Sequence, residues 1–364
     1  EVRRGPHWFA QLVFEANVNA NDTTIILIFC NNPAAELPDY PSRMQVRGEG
    51  VGLEIETPDY VATLSPQMGQ LESLTPKWHT GGLRLATHGN GHGEPPNLDW
   101  AHDYTTAGPF QKMRMTNWVE CPNYEVVRGP LCTIVRRFGF PHSPAHPLFT
   151  PSRLFMDLSY TFYAGVPYFL KHGHMQATRD FCAWVARDDE WYFGGRPFNE
   201  SLWMDDAGRV REGPVPTEQS DHVWGVGFFH HQSRDSIFAI YLDHRLDLPA
   251  GADPEAAPLY HHLDTTLDHS KPGQPPHASV WCRPMFRDNA QLQTDTRLTL
   301  RNAYLLAPYA EYDGAAGLEA LRERLLSPLI ATAPQSTAYF AGATNTTQPL
   351  ARIGERSSDW AKPT

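Results

Sequence analysis

The sequence contains no Gly-x-x-x-x-Gly-Lys phosphate loop, no Gly-x-Gly-x-x-Gly turn opening a helix, no Gly-x-Ser-x-Gly elbow and no His-Glu-x-x-His pair. Each of those motifs sets a phosphate cradle, a nucleophile or two metal ligands in the geometry its chemistry needs. Their absence excludes nucleotide enzymes, serine hydrolases and zinc proteases of standard type. No apolar run approaches the ~20 residues that cross a bilayer as a helix, so no membrane span is expected. Lysine is scarce: of 30 basic residues only Lys77, Lys112, Lys171, Lys271 and Lys362 are lysine. The remaining arginines suit carboxylate partners, and a GC-rich genome produces the same bias. A formal net charge of -11 argues against a general affinity for nucleic acid, which needs a basic surface. The five cysteines are dispersed with no Cys-x-x-Cys pair, which excludes a zinc-thiolate cluster. Cys121 and Cys132 are close enough in sequence to close a short hairpin by a disulfide in an oxidising compartment.

What is present is a chain of 364 residues, 41% apolar and 20% charged, enough for a large domain with a sizeable core. It begins with Glu and has no basic-then-apolar leader, which fits a chain whose signal has been removed, or a fragment. The expected location is secreted or periplasmic.

Apolar bursts at Trp8 to Phe14 and Thr23 to Phe29, parted by Asn-rich turn residues, predict a strand pair. The pattern lapses from Pro38 to Gly50, a connector. Residues 52 to 77 then alternate with period two through Leu53, Ile55 and Thr57, and through Tyr60, Ala62 and Leu64, with a turn at Pro66-Gln-Met-Gly69, and so predict a β-meander. Further strands are predicted at Cys132 to Phe138, His222 to His231, Ser236 to Leu242, Ala278 to Phe286 and Thr296 to Leu306. Leu318, Leu321, Leu325 and Leu326 mark a helix over Gly317 to Leu326 that Pro328 stops. From Ala331 onward Ser, Thr, Pro and Gly predict a surface-running tail. The resulting division is 1–47, a small β-module remnant and linker; 48–330, a large β-domain; and 331–364, a tail.

Two resemblances refine this division. Residues Asn32-Pro33-Ala34-Ala35, following an apolar strand, resemble the close of small jelly-roll modules attached to secreted carbohydrate enzymes, with Asn31 where the pattern has Gly. That resemblance implies an upstream module or a second chain completing the N-terminal sandwich. Gly69-Gln-Leu71-Glu-Ser73-Leu74 and the strand pair LSYTFYAGVPYF at 158 to 169 resemble the galactose-mutarotase-like super-sandwich of aldose epimerases, glycosidase β-domains and polysaccharide lyases. It implies a mostly β fold, a large antiparallel super-sandwich with a few short helices, and a carbohydrate substrate.

The candidate chemistry lies in three places. His172-Gly-His174 in an extended strand puts two imidazoles on one face about 7 Å apart, a start for one divalent metal, zinc or calcium, with a third ligand from His88 or His92 in the long polar loop of residues 80 to 123. His102 and Tyr104 supply the acid and base of a β-elimination at an acidic sugar; Arg136 or Arg179 would meet the carboxylate, and Trp100 and Asn117 would contact substrate. Glu190 and Asp205, with Trp191, Trp203 and Arg196 as sugar contacts, are the paired acids a glycoside hydrolase would use. Asp189-Glu-Trp-Tyr-Phe193 has no His where epimerases place one, which counts against simple mutarotation. The expected function is a carbohydrate-active enzyme, by preference a lyase; a glycoside hydrolase and a non-catalytic carbohydrate-binding or assembly protein are the alternatives.

Overall fold

The structure, a computed structural model, describes residues 2–4, 7–9, 22–26, 42–78, 85–86, 102–105, 111–113, 120–140, 153–194, 200–205, 209–213, 223–252, 264–266, 278–309 and 315–327, with isolated positions between them. Within 2–4, 7–9, 85–86, 102–105, 111–113, 182–194, 264–266, 278–290 and 315–316 the description is of the backbone. The chain divides into two compact units, Glu1–Leu318 and Glu319–Thr364.

Strands β1 (Val2–Arg4) and β2 (His7–Phe9) form a ribbon. The predicted meander is β3 (Gln45–Glu49), β4 (Gly52–Glu56), β5 (Tyr60–Leu64) and β6 (Leu71–Pro76), closed by β7 (Leu85–Ala86) as a five-stranded sheet in sequence order. There follow β8 (His102–Thr105), β9 (Gln111–Met113), β10 (Tyr124–Arg128), β11 (Cys132–Gly139), β12 (Leu154–Tyr163), β13 (Tyr168–Ala177), β14 (Phe181–Gly194), β15 (Glu200–Asp205) and β16 (Arg209–Glu212). The last strands are β17 (Val223–Phe229), β18 (Ser236–Asp247), β19 (Asp264–Thr266), β20 (Ala278–Leu292) and β21 (Arg297–Leu306), and the helix α1 is Ala315–Leu326. A nine-stranded sheet runs β10-β11-β12-β13-β21-β18-β17-β15-β16, and a second five-stranded sheet runs β19-β20-β14-β8-β9. Every described pairing is antiparallel. The fold is mostly β, as the period-two pattern predicts.

The core lies between the meander and one face of the nine-stranded sheet. Because side chains alternate along a strand, β12 sends Leu154, Met156, Leu158, Tyr160 and Phe162 inward, and β13 sends Phe169 and Met175. These join Leu53, Ile55, Tyr60, Ala62, Leu64, Leu71 and Leu74 of the meander in one hydrophobic cluster. Tyr60 meets Phe169 edge-on across the layers, at 6.3 Å between ring centroids. Arg137, buried in the same interface, donates from Nη1 to the Met68 carbonyl at 2.9 Å and lies over the Tyr160 ring. The guanidinium therefore caps the meander turn from the opposite sheet, giving a buried charge both a carbonyl and a ring face.

Three expectations are corrected. Residues 22–26 are irregular and exposed, Ile25 at 84%, where a strand is predicted from Thr23 to Phe29; residues 27–29 lie outside the described residues. The Asp22 N–H donates to the Asn19 carbonyl and the Thr23 N–H to Asp22 Oδ1, local bonds that compete with a strand ladder. Cys121 and Cys132 are not joined by a disulfide. The hairpin register explains why: Asn123 bonds Phe138 at its open end and Arg128 faces Thr133 near its turn, which parts the two cysteines by about 20 Å at ~3.3 Å per residue, far beyond disulfide reach. In α1, Leu318, Leu321 and Leu325 are buried but Leu326 is exposed, because at about 100° per residue it is rotated off the stripe of the other three. Residues 331–364 lie outside the described residues.

Candidate functional site

His172 and His174 sit in the middle of β13, on the face turned away from the core. Phe169, Lys171, Gly173 and Met175 face inward and are buried, so the intervening residues look outward. Cross-strand register builds the surroundings. His174 is opposite Asp157 of β12 and Thr299 of β21, and His172 is opposite Ser159 and Arg301. One strand further, Ser159 faces Arg136 and Arg136 faces Glu125, while Arg301 faces Asp243. Two adjacent rungs thus carry imidazole, carboxylate, hydroxyl and guanidinium groups across six strands.

The firmest contact on this face is a fork. Arg136 donates from Nε to Asp157 Oδ1 at 2.9 Å and from Nη2 to Asp157 Oδ2 at 2.6 Å, and its Nη1 reaches Glu125 Oε2 at 2.9 Å. The Asp157 bonds, followed by those of Glu125, raise the guanidinium pKa above its ordinary value against the penalty of burial. An aromatic rim adjoins it: Arg136 lies over Phe138, Phe140 meets Phe155 edge-on at 5.5 Å, and Phe155 packs beside the His174 ring.

The two histidines differ in access. His174 is 8% exposed, and burial first, then the charge of Arg297, pull its imidazole down to about 4. His172 stays exposed; crowding by protein and then Arg301 lower its pKa in the same direction, and its contact with water makes this the weaker constraint. Both rings are therefore biased toward the neutral form. For His174 this has a stability consequence. The unfolded chain takes up the proton near 6.5 and the folded chain near 4, so the unfolded state binds more protons across that window and stability falls as pH drops through it. The loss should saturate at roughly 3 kcal/mol, at about 1.4 kcal/mol per pKa unit. Urea unfolding at pH 7 and pH 4.5 should show His174→Asn losing markedly less than the parent chain; equal losses would assign the acid sensitivity elsewhere.

The remaining predicted residues are distributed over the fold. His102 and Tyr104 lie on β8, paired with Arg187 and Val185 of β14, in a different sheet from His172 and His174. Trp191 lies on β14 opposite Trp281. Arg179 is in the exposed turn after β13. The Trp203 ring packs partly into the core and under the Arg211 guanidinium at 5.2 Å. His88, His92, Trp100, Asn117 and Arg196 lie outside the described residues.

Among the described residues no three His, Cys, Asp or Glu side chains converge as a metal-ligand set. The open face fits a divalent metal poorly on its own chemistry. Both oxygens of Asp157, the carboxylate opposite His174, are taken by Arg136, and Arg297 and Arg301 add positive charge beside the imidazoles. Asp205, the acid expected of a hydrolase, is buried and accepts bonds from the Arg209 N–H and from the Arg209 and Arg211 guanidiniums. Burial opposes its ionisation, but those donors hold the carboxyl below the usual range, which suits a structural anion rather than a general acid.

Sequence reasoning missed Asp157, Arg301, Thr299 and Arg297. Their signal is present as alternation, since Arg297-Leu-Thr-Leu-Arg301 puts every polar residue on one face, but which strands flank β13 is a matter of topology.

No family model and no curated protein sequence matches the chain. Solved structures similar to it include a TPR-domain containing protein from Parabacteroides distasonis (11% identity, TM-score 0.38, 70% of this chain and 47% of that one). A putative aldose 1-epimerase from Klebsiella pneumoniae is 13% identical, with TM-score 0.42 over 76% of this chain and 82% of that one. The galactosidase domain of an alpha-galactosidase-sucrose kinase is 8% identical, with TM-score 0.44 over 72% of this chain and 42% of that one. The chain thus spans about half the length of the first and less of the third. Each is a partial superposition. No described helix is long and apolar enough to cross a membrane.

Proposed function

We propose that the chain acts on carbohydrate through the open face of the nine-stranded sheet, and by preference as a carbon-oxygen lyase at an acidic sugar. The observation that carries this reading is the double rung of His172, His174, Asp157, Arg136 and Arg301 beside the Phe138, Phe140 and Phe155 rim. Sugar hydroxyls need planar, rigidly held donors and acceptors, and the C–H faces of sugar rings rest on aromatics. Elimination requires a neutral base to take the proton beside the carboxylate, while the electron pair forms the C=C bond and expels the glycosidic oxygen, which is protonated as it leaves. The neutral, accessible imidazole of His172 suits the base. His102 and Tyr104 are the residues that the lyase resemblance favours, and they compete with it for the role. The bond pattern at Asp205 weighs against the hydrolase alternative.

The test is a panel of acidic polysaccharides followed by the absorbance of the unsaturated uronate. The parent chain should generate it, and His172→Ala, His102→Ala or Tyr104→Phe should slow it by about 10²-fold or more where that residue is the acid or base. New reducing ends without the absorbance would establish hydrolysis instead. Binding with no product of either kind would establish a carbohydrate-binding protein.

A further inference from the structure

Thr299 and Arg297 differ from their neighbours on the open face. Several other polar groups there are already matched: Arg136 with Asp157 and Glu125, Arg245 with Asp247, and Gln176 with Asp295. Thr299 is 9% exposed, and its Oγ1 is buried with no hydrogen-bond partner; Arg297 Nε is in the same condition two residues away. Buried donors without partners are costly and uncommon in folded proteins. Here two occur at alternate positions of one strand, so they share a face. Thr299 lies opposite His174, and Arg297 lies opposite Gln176. Arg297 is also the largest single charge acting on His174.

We propose that Thr299 Oγ1 and Arg297, beside His174, form the receptor for an oxyanion, the carboxylate of an acidic sugar. A carboxylate supplies two acceptor oxygens to two idle donors, and the guanidinium neutralises it. Asp243 and Asp247 face the same array, but Asp247 is held by Arg245. This assignment rests on the reading of the open face as a carbohydrate surface, and it replaces Arg136, whose fork is engaged, as the group that meets the carboxylate.

The test is calorimetric titration of the full chain with glucuronate, glucose and glucose 6-sulfate, none of which has a cleavable glycosidic bond. Binding is thereby read apart from turnover, and failure of the lyase reading would leave this result standing. Glucuronate should bind at least tenfold tighter than glucose, and Thr299→Val and Arg297→Gln should each weaken it at least tenfold. Because Thr299 Oγ1 has no partner in the free protein, Thr299→Val should leave the melting temperature of the unliganded chain unchanged or raise it, a result that a structural role for the hydroxyl does not give. If glucose 6-sulfate binds with the same dependence on both residues and glucuronate does not, the receptor stands with a sulfate ester as its source. Equal binding of glucose and glucuronate, unchanged affinity in both variants, or no saturable binding of either anion overturns the proposal.

Discussion

Phe169→Ala is expected to lower the free energy of unfolding by about 4 kcal/mol, within the range for removing a fully buried phenylalanine. Phe169 is 1% exposed and is the ring on which the core converges. It stacks on Tyr304 at 5.0 Å and on Phe162 at 5.3 Å, and it meets Tyr160 and Tyr60 edge-on. Those partners come from β21, from β12 and, across the layers, from the meander, so no single neighbour can move in to fill the gap. In a unit of this size the loss corresponds to a fall in Tm on the order of 10 °C. Phe155→Ala, on the half-exposed face of β12 opposite to Tyr160 and Phe162, should cost much less. Urea denaturation of both variants checks the pair: a similar cost for each would mean that the aromatic cluster is not the centre of the core.

Gly69→Ala should destabilise the meander turn by about 3 kcal/mol. Two effects add. Gly69 has φ +65°, a left-handed conformation costing an L-residue roughly 1–2 kcal/mol. A Cβ there would also lie 2.7 Å from Arg137 Cδ and 2.8 Å from Val51 Cβ, an overlap worth roughly 1–3 kcal/mol more. Gly251, at φ +84° with nothing within 4 Å of a Cβ, isolates the backbone part, and Gly251→Ala should cost about half as much. Equal costs at the two sites would mean that Arg137 and Val51 yield freely and that the turn is not clamped. The clamp has a structural purpose: the Gly69 N–H bonds the Ser65 carbonyl, folding the turn so that the neighbouring Met68 carbonyl meets Arg137.

Much of this was legible in advance for a specific reason. The residues of β4 and, largely, of β12 alternate between apolar and polar with period two, and the same alternation decides which face is buried; in β13 the alternation shows in burial, with Lys171 and Gly173 on the inner face. Gly69 and the Gly165-Val-Pro167 turn break that period where the chain reverses. The Thr23 to Phe29 run misled because β-branched residues favour a pleated surface only where another strand is there to pair. The environment of Asp205 was not legible for another reason: its acidity depends on Arg209 and Arg211, brought to it by the β15–β16 hairpin.

Sequence alone determined that the chain is mostly β, that residues 52 to 76 form a meander, and that His172 and His174 share one face of a strand, because each of these follows from local period. Tertiary structure decided what those histidines face. The β13 strand is flanked by β12, its hairpin partner, and by β21, which lies more than a hundred residues further along the chain. Only that long-range pairing sets Asp157 on one side of His174 and Thr299 on the other, placing the two imidazoles on a face that also carries Arg136, Arg297 and Arg301. Register between distant strands is fixed by the burial of their opposite faces in a common core, and no local reading of either strand contains it.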